Sequence, residues 1–422
     1  MRRVIPELVL AVLTLTSGLA AADTLRMECP PSKEGRQFCH YIKQKFEAQT
    51  GHTLKFIDLP PASNEKLSLF QQLFAAKDSD AIDLFQADTV WIGVLDKHLL
   101  DLTDSVSDIR HDFFPTAMQN DVVNGRVKAI PAYMDAGALF YRKDLLAKYG
   151  EKPPVTWTEL TRIATRIQQS ERESGHKNFW GMVFQGKAYE GLTCNALEWV
   201  ESQNGGSVID SQGNITINNA RAAQALDRAA GWIGKIVPPG ALGYMEEESR
   251  SVFQNGDALF MRNWPYAYTL AEDRSSAIRG KVGVMPLPAS DDGTSVSAMG
   301  GWHWAISAYT KKSTGSHCPC SRSSAVPESQ KKTLALMGWT PSRTALYDDP
   351  EVLAQAPYLS DFKNIFLLAK PRPATQTRRQ YAQVSKAIYN ATYNVLRGDI
   401  DGATAVAGLQ QRLERIKARG WR

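Results

Sequence analysis

The chain has 422 residues, 43% hydrophobic and 22% charged, enough to bury the cores of two lobes or more and unlike a disordered or fibrous composition. Its formal net charge of +5 balances 49 Lys and Arg against 44 Asp and Glu. The two signs are interspersed with no long basic block, which argues against nucleic acid as a partner.

The first residues, "MRRVIPELVLAVLTLTSGLAAADT", combine Arg2 and Arg3, an apolar run from Val9 to Leu19 and the small residues Ala20, Ala21 and Ala22. The run is shorter than the roughly 20 residues that cross a bilayer, so it reads as a secretory signal cleaved after Ala22 and not as an anchor. No Cys stands at the cleavage point, so no lipid attachment is expected. The mature chain is expected to be soluble in the periplasm. In that oxidising compartment Cys29 and Cys39 are candidates for a disulfide. Cys194, inside the apolar "GLTCNALEWV", reads as a small buried residue.

From Thr24 the pattern gives a short strand, a helix ("FCHYIKQKFEAQTG"), a strand ("TLKFIDL"), a helix ("EKLSLFQQLFAA") and a strand ("IDLFQAD"). Alternating strands and helices predict a mostly parallel sheet covered on both faces, and such sheets bind ligands beyond the carboxyl ends of their strands. Asp88 closes the third strand and is a site candidate. Next, "GRVKAIPAYMDAGALFYRKDLL" is an apolar strand interrupted by Pro131 that carries Asp135. "EKPPVTWTELTRIATRIQQ" opens a helix capped by Thr156 or Thr158, with Glu159 in its first turn. A largely helical stretch follows to about Gly280, and strands return in "GKVGVMPLP" and "GGWHWAISAYT". The last two segments, "YAQVSKAIYNATYNVLRG" and "GATAVAGLQQRLERIKARG", have helical spacing. This order predicts an α/β protein of two lobes with a cleft between them. Residues 23–133 and 282–338 would form the first lobe, and 134–281 with 339–422 the second lobe and C-terminal helices.

Aromatic residues cluster in "RNWPYAY", "GGWHW" and "GKAYEG", where flanking Gly and Pro place them at element ends. Each ring alone is as readily a core residue. A flat aromatic face suits the apolar face of a sugar, and Asp88, Asp135 and Arg372 supply acceptors and a forked donor for its hydroxyls. For any one of these charged residues a surface ion pair is the simpler account. Paired carboxylates could also hydrolyse a glycosidic bond, but the chain has no G-x-S-x-G elbow, H-E-x-x-H, Walker loop or dinucleotide fingerprint. His317, Cys318 and Cys320 crowd three potential ligands into four residues with no partner elsewhere, which does not make a tetrahedral metal shell. No metal or cofactor is expected.

The blocks "FQADTVWIGVL", "IPAYMDAGALFYRKDLLAKYG", "PPVTWTEL", "NFWGMVFQGKAYEGLTCNALEWV", "MRNWPYAYTLAED", "GKVGVMPLP", "GGWHWAIS" and "ALYDDPEVLAQAPYL" resemble the family 1 extracellular solute-binding proteins of ABC importers, in particular the trehalose/maltose-binding group. The similarity runs over nearly the whole mature chain. It implies a two-lobed periplasmic-binding-protein fold of type II, maltose-binding-like, that closes on a disaccharide and delivers it to membrane permease subunits without covalent chemistry. It also implies that Asp88 and Asp135 accept from sugar hydroxyls beside Tyr133, that Trp264, Tyr266 and Trp302 pack on the rings with Gly301 beside them, and that Arg372 donates. Glu34 and Tyr189 fit more loosely. Lys66 stands where the family usually has Arg and loses the fork geometry. A monomer is expected. A receptor for another solute such as glycerol phosphate, or an exported glycoside hydrolase, are the alternatives.

One stretch departs from that resemblance. Where the family has an amphipathic helix of the kind "EAAIxLVRFLTSPEVQK", this chain reads "GSHCPCSRSSAV" before "PESQKK". Its first eight residues can be encoded GGA AGC CAT TGC CCT TGT TCG CGC, and the same bases read one position later give Glu-Ala-Ile-Ala-Leu-Val-Arg. The hypothesis is a pair of compensating single-base shifts bounded near Thr314 and Pro327, by sequencing error or true mutation. Resequencing the gene decides it, and a clean trace encoding 315–326 as written, with no indel in relatives' DNA, rules out an error.

Overall fold

A computed structural model describes residues 23–29, 33–60, 62–311, 325–418 and 420–421. The expected signal segment, the Glu34 side chain and the stretch 312–324 with His317, Cys318 and Cys320 lie outside the described residues.

Eleven strands are described: β1 Thr24–Glu28, β2 Thr53–Ile57, β3 Leu84–Asp88, β4 Val122–Val123, β5 Arg126–Val127, β6 Ala129–Ala136, β7 Ala138–Arg142, β8 Trp180–Val183, β9 Ala258–Asn263, β10 Val282–Met285 and β11 Met299–Ile306. The first lobe holds a sheet of order β2-β1-β3-β11-β6, the second a sheet of order β10-β7-β9-β8, and β4 and β5 form a small hairpin. β1 runs parallel to β2 and β3, but β11 is antiparallel to both β3 and β6. In the second sheet only β8 and β9 are parallel. The expected mostly parallel sheet thus holds for β1–β3 alone. Strands that enter a sheet from the other lobe are not fed by a local helix, and nothing forces their direction to match.

The segment "GKVGVMPLP", expected to return to the first lobe, supplies β10 of the second sheet instead. Among the described residues three segments cross between the lobes. Gly137 alone separates β6 from β7, Ser297–Met299 lead into β11, and Lys370–Arg372 run beside them. The last two are laced together: the Met299 amide donates to the Lys370 carbonyl at 2.8 Å, and the Lys370 amide to the Ser297 carbonyl at 2.9 Å.

Each sheet is sealed by aromatic side chains at roughly 1.5–3 kcal/mol for each one fully buried. Phe70, Phe74, Phe85 and Trp91 pack together in the first lobe, and Trp157, Phe184, Trp199 and Trp232 in the second. A further cluster joins Phe114 and Met134 of the first lobe to Phe140 and Val282 of the second through Leu359, Phe362 and Phe366, so the segment 344–369 spans both. The C-terminal helices Tyr381–Leu396 and Gly402–Lys417 bury Val384, Ile388, Leu409 and Leu413 in the second-lobe core. Helix Trp157–Glu173 starts at Thr156 and not Thr158: the Glu159 amide donates to Thr156 Oγ1 at 3.1 Å while the Thr156 amide donates to Glu159 Oε2 at 3.3 Å. Cys29 and Cys39 are disulfide-bonded with their Cα atoms 6.0 Å apart. Among the described residues no helix is long and apolar enough to cross a membrane.

Candidate functional site

The carboxyl end of β3 places Asp88 at the mouth of the first lobe, and sheet register does the rest. Trp302 on β11 stands opposite Asp88 on one side and Tyr133 of β6 on the other, and Gly300 stands opposite Asp135. Two glycines let the strands come this close. A Cβ at Gly300 would lie 3.0 Å from both Asp135 Cβ and the Trp264 ring, and Gly301, at φ +116°, would drive a Cβ to 2.8 Å from the Tyr133 carbonyl. The second lobe contributes Trp264 and Tyr266, directly after β9, Glu246 from the start of helix Glu246–Gln254, and Glu190 from the start of helix Glu190–Ser202. Together these groups line a cavity of about 180 Å³ between the lobes.

Arg372, on the third crossing, ties the two sides together. Its Nη2 donates to Asp88 Oδ1 at 2.6 Å and its Nη1 to Glu190 Oε1 at 2.8 Å. Asp88 is further fixed by the Val90 amide at 3.2 Å and by Ser63 Oγ at 3.3 Å. Glu190 accepts in addition from Ser385 Oγ at 2.6 Å and from the Tyr381 hydroxyl. Burial works against the charge on Arg372, but Asp88 and Glu190 outweigh it and hold the guanidinium protonated well above its usual range.

Asp135 stands in contrast. Among the described residues its carboxylate has no hydrogen-bonded partner, and burial, with Asp88 and Glu246 nearby, pushes its pKa well above the carboxylate range against the pull of Arg262. Tyr189, whose ring covers Gly191, buries a hydroxyl that makes no well-formed hydrogen bond among the described residues, and burial and the nearby Glu246 carboxylate raise its pKa well above the usual value. These are acceptors and donors in search of partners inside a small cavity.

The rings are backed from behind. The Arg262 guanidinium lies 4.0 Å from the Trp264 ring, whose Nε1 donates to Glu246 Oε1 at 3.3 Å. Lys66 Nζ sits 4.3 Å from the Trp302 ring, and Trp91 meets that ring edge-on at 5.2 Å. Tyr133 stacks on Trp339 at 4.3 Å. Tyr266 donates its hydroxyl to Glu247 at 2.6 Å.

The cavity therefore brings together Asp88, Tyr133, Asp135, Tyr189, Trp264, Tyr266, Gly301, Trp302 and Arg372 of the residues nominated from sequence. Lys66 is not on its wall: it donates to Glu28 Oε1 at 2.6 Å and presents its charge to the Trp302 face. Sequence reasoning missed Glu190, Glu246 and Trp339. Glu190 follows Tyr189 directly in "GKAYEG"; Glu246 opens a run of three Glu that reads as an acidic first helical turn; Trp339 follows Gly338, the left-handed cap of helix Pro327–Met337. Cys194, a buried free thiol, also lines the cavity. Burial pushes its thiol up to about 12.

Chemically, the wall offers flat apolar faces with acceptors and one forked donor around their edges, a set that recognises hydroxyls on a compact ring and holds no activated nucleophile. Four carboxylates (Asp88, Asp135, Glu190 and Glu246) face one guanidinium on it.

The chain is similar over most of its length to known proteins. The structure superposes on the maltose-bound MalE3 of T. maritima with a TM-score of 0.87 and 33% identity, covering 94% of this chain and 100% of that one. It also matches the GacH receptor of Streptomyces glaucescens, solved unliganded and with acarbose, at a TM-score of 0.81 and 21% identity over 94% and 99% of the two chains, a likeness of fold. A probable ABC transporter-binding protein of Deinococcus radiodurans is 42% identical over 419 residues, 97% of this chain and 99% of its own. The maltodextrin-binding protein MdxE of Bacillus subtilis is 25% identical over 72% of each chain. These relatives are binding proteins and not enzymes, and the architecture is that of a type II, maltose-binding-like periplasmic binding protein. With residues 31–315 matching the family model for the bacterial extracellular solute-binding proteins, the chain belongs to that family.

Proposed function

We propose that the chain is the receptor of an ABC importer for a neutral disaccharide of the α-glucoside type, such as maltose or trehalose. It works outside the cytoplasm, in the periplasm after removal of a signal at Ala22, and as a monomer that hands its sugar to permease subunits. The observation that carries this reading is that aromatic rings from both lobes, Trp302 and Trp264, line one cavity together with Asp88, Asp135, Glu190 and Arg372. The maltose-bound relative at 33% identity supports the sugar class.

Binding and closure follow from the same groups. A sugar stacked on Trp302 of the first lobe and Trp264 of the second gains its full set of contacts only when the lobes approach, so it shifts the population to the closed form. Asp135 and the Tyr189 hydroxyl gain partners from sugar hydroxyls, replacing a desolvation cost with hydrogen bonds. A phosphorylated solute fits poorly. The single guanidinium on the wall is already shared by two carboxylates, and an anion would meet Glu246 with no compensating cation on the wall.

The test is tryptophan fluorescence of the purified mature chain titrated with maltose, trehalose, sucrose and glycerol 3-phosphate, with the recovered sugar checked for cleavage. A saturable change with one disaccharide, recovered intact, and none with glycerol 3-phosphate is expected. A folded protein that responds to no disaccharide would sink the assignment.

A further inference from the structure

Behind the Trp264 platform lies an ion pair that the sugar contacts do not need. Glu198, on helix Glu190–Ser202, and Arg262, on β9, are 1% and 2% exposed and bonded twice, Nη2 to Oε1 at 2.5 Å and Nε to Oε2 at 2.9 Å. A buried pair of this kind is a weak source of stability, since an apolar pair of similar volume often serves a core as well. Its surroundings point to another role.

On one side the pair holds the crossings between the lobes. Glu198 Oε1 accepts the amide of Ala298 at 3.1 Å, and the Ala298 carbonyl accepts the amide of Gly137 at 3.3 Å. Gly137 fits only because it lacks a side chain: a Cβ there would lie 2.0 Å from Glu198 Oε1 and 2.5 Å from Arg262 Nη2. Two of the three crossings thus rest directly on the ion pair. On the other side the Arg262 guanidinium lies 4.0 Å from the Trp264 ring. It is fixed from the flank by Gln185, whose Oε1 accepts from Nη1 at 3.2 Å and whose Nε2 donates to the Arg262 carbonyl at 3.0 Å.

We propose that Glu198 and Arg262 are positioning residues that couple the Trp264 platform in the cleft to the crossings at Gly137 and Ala298. The inference rests on the reading of the cleft as a sugar site. A sugar ring pressed on Trp264 bears through the indole on Arg262, Arg262 fixes the Glu198 carboxylate, and that carboxylate sets the position of the Ala298 amide about which the lobes turn. The link is a contiguous chain of packed and bonded groups, the kind of element through which two sites bias one equilibrium.

The experiment uses the mature chain and whichever disaccharide saturates the wild type, reading affinity by calorimetry and closure by the change in radius of gyration in X-ray scattering. Glu198→Gln removes the charge that fixes Arg262, while Gly137→Ala wedges a methyl against the pair without replacing any residue of the cavity wall or any charge. Each is expected to weaken binding by roughly tenfold or more and to shrink the scattering change at saturation, with the double variant losing less than the product of the two. Variants that melt earlier but keep wild-type affinity and wild-type closure would overturn the proposal and leave the pair a core feature. If neither variant folds, hydrogen exchange of the Ala298 amide in the wild type decides: sugar slows it if the coupling exists, and unchanged exchange overturns it. A folded wild type that binds no disaccharide removes the sugar reading itself, and this inference with it.

Discussion

Arg372 reaches both lobes with one guanidinium, and no other residue type does this. Lysine there keeps the charge but cannot fork between Asp88 and Glu190. Arg372→Ala is expected to cost about 2–5 kcal/mol of sugar binding, because two carboxylates are left buried without a cation, and Arg372→Lys to recover only part of that in the same titration. Asp135 gives a second prediction at this scale. Its raised pKa means that the folded protein holds a proton the unfolded chain releases, so stability falls as pH rises from the ordinary carboxylate range to the raised value. Asp135→Asn is therefore expected to melt at a higher temperature than the wild type at neutral pH while binding sugar more weakly. Sugar hydroxyls donating to the charged carboxylate lower its pKa again, so binding releases a proton and affinity rises with pH. Calorimetry in buffers of different ionisation enthalpy reads the proton directly, and a pH-independent affinity would contradict the role given to Asp135. Much of this wall was legible in the sequence, since Asp88, Asp135, Trp264 and Trp302 stand at strand ends or beside Gly and Pro. Glu246 was not: three acidic residues in a first helical turn have a sufficient local reason in the helix dipole, and only the fold shows one of them facing Trp264.

At the scale of elements, the periodicities located β1 to β3, the helix capped at Thr156 and the two C-terminal helices, because each reports which face of one segment is buried. They could not assign β10 to its sheet or give the direction of β11, since a strand's own pattern carries no record of its neighbours. The register of β11 is nevertheless the element on which the site depends. Gly301→Ala puts a methyl at φ +116° within 2.8 Å of the Tyr133 carbonyl and is expected to destabilise by about 1–3 kcal/mol in urea denaturation, and to weaken sugar binding by moving Trp302. The Cys29–Cys39 bond closes a loop with a separation of 10 residues. Replacing both by Ser should cost about 3 kcal/mol on the chain-entropy account, seen as a lower melting temperature that reducing agent no longer affects.

For the whole molecule, the crossings matter more than either lobe. The segment 344–369 packs on both lobes and Lys370–Arg372 cross beside Ser297–Met299, so the last third of the chain sets how the two sheets face each other. A ligand that stacks on both lobes stabilises this arrangement by mass action, about 2.7 kcal/mol at a concentration one hundred times its Kd. An intact disaccharide should raise the melting temperature accordingly and glycerol 3-phosphate should not. For an uncharged sugar that shift should survive added salt, whereas a salt-sensitive shift would point to an ionic ligand.

Cys194 brings a thiol to the wall of the same cavity. A reducing disaccharide carries a latent aldehyde, and a thiolate beside it would be a nucleophile held against an electrophile. Burial keeps the Cys194 proton in place up to about pH 12, so across the range in which a bacterium lives the group is a neutral thiol. The cleft can thus use a cysteine as a small packing residue and still release its cargo with the anomeric carbon untouched.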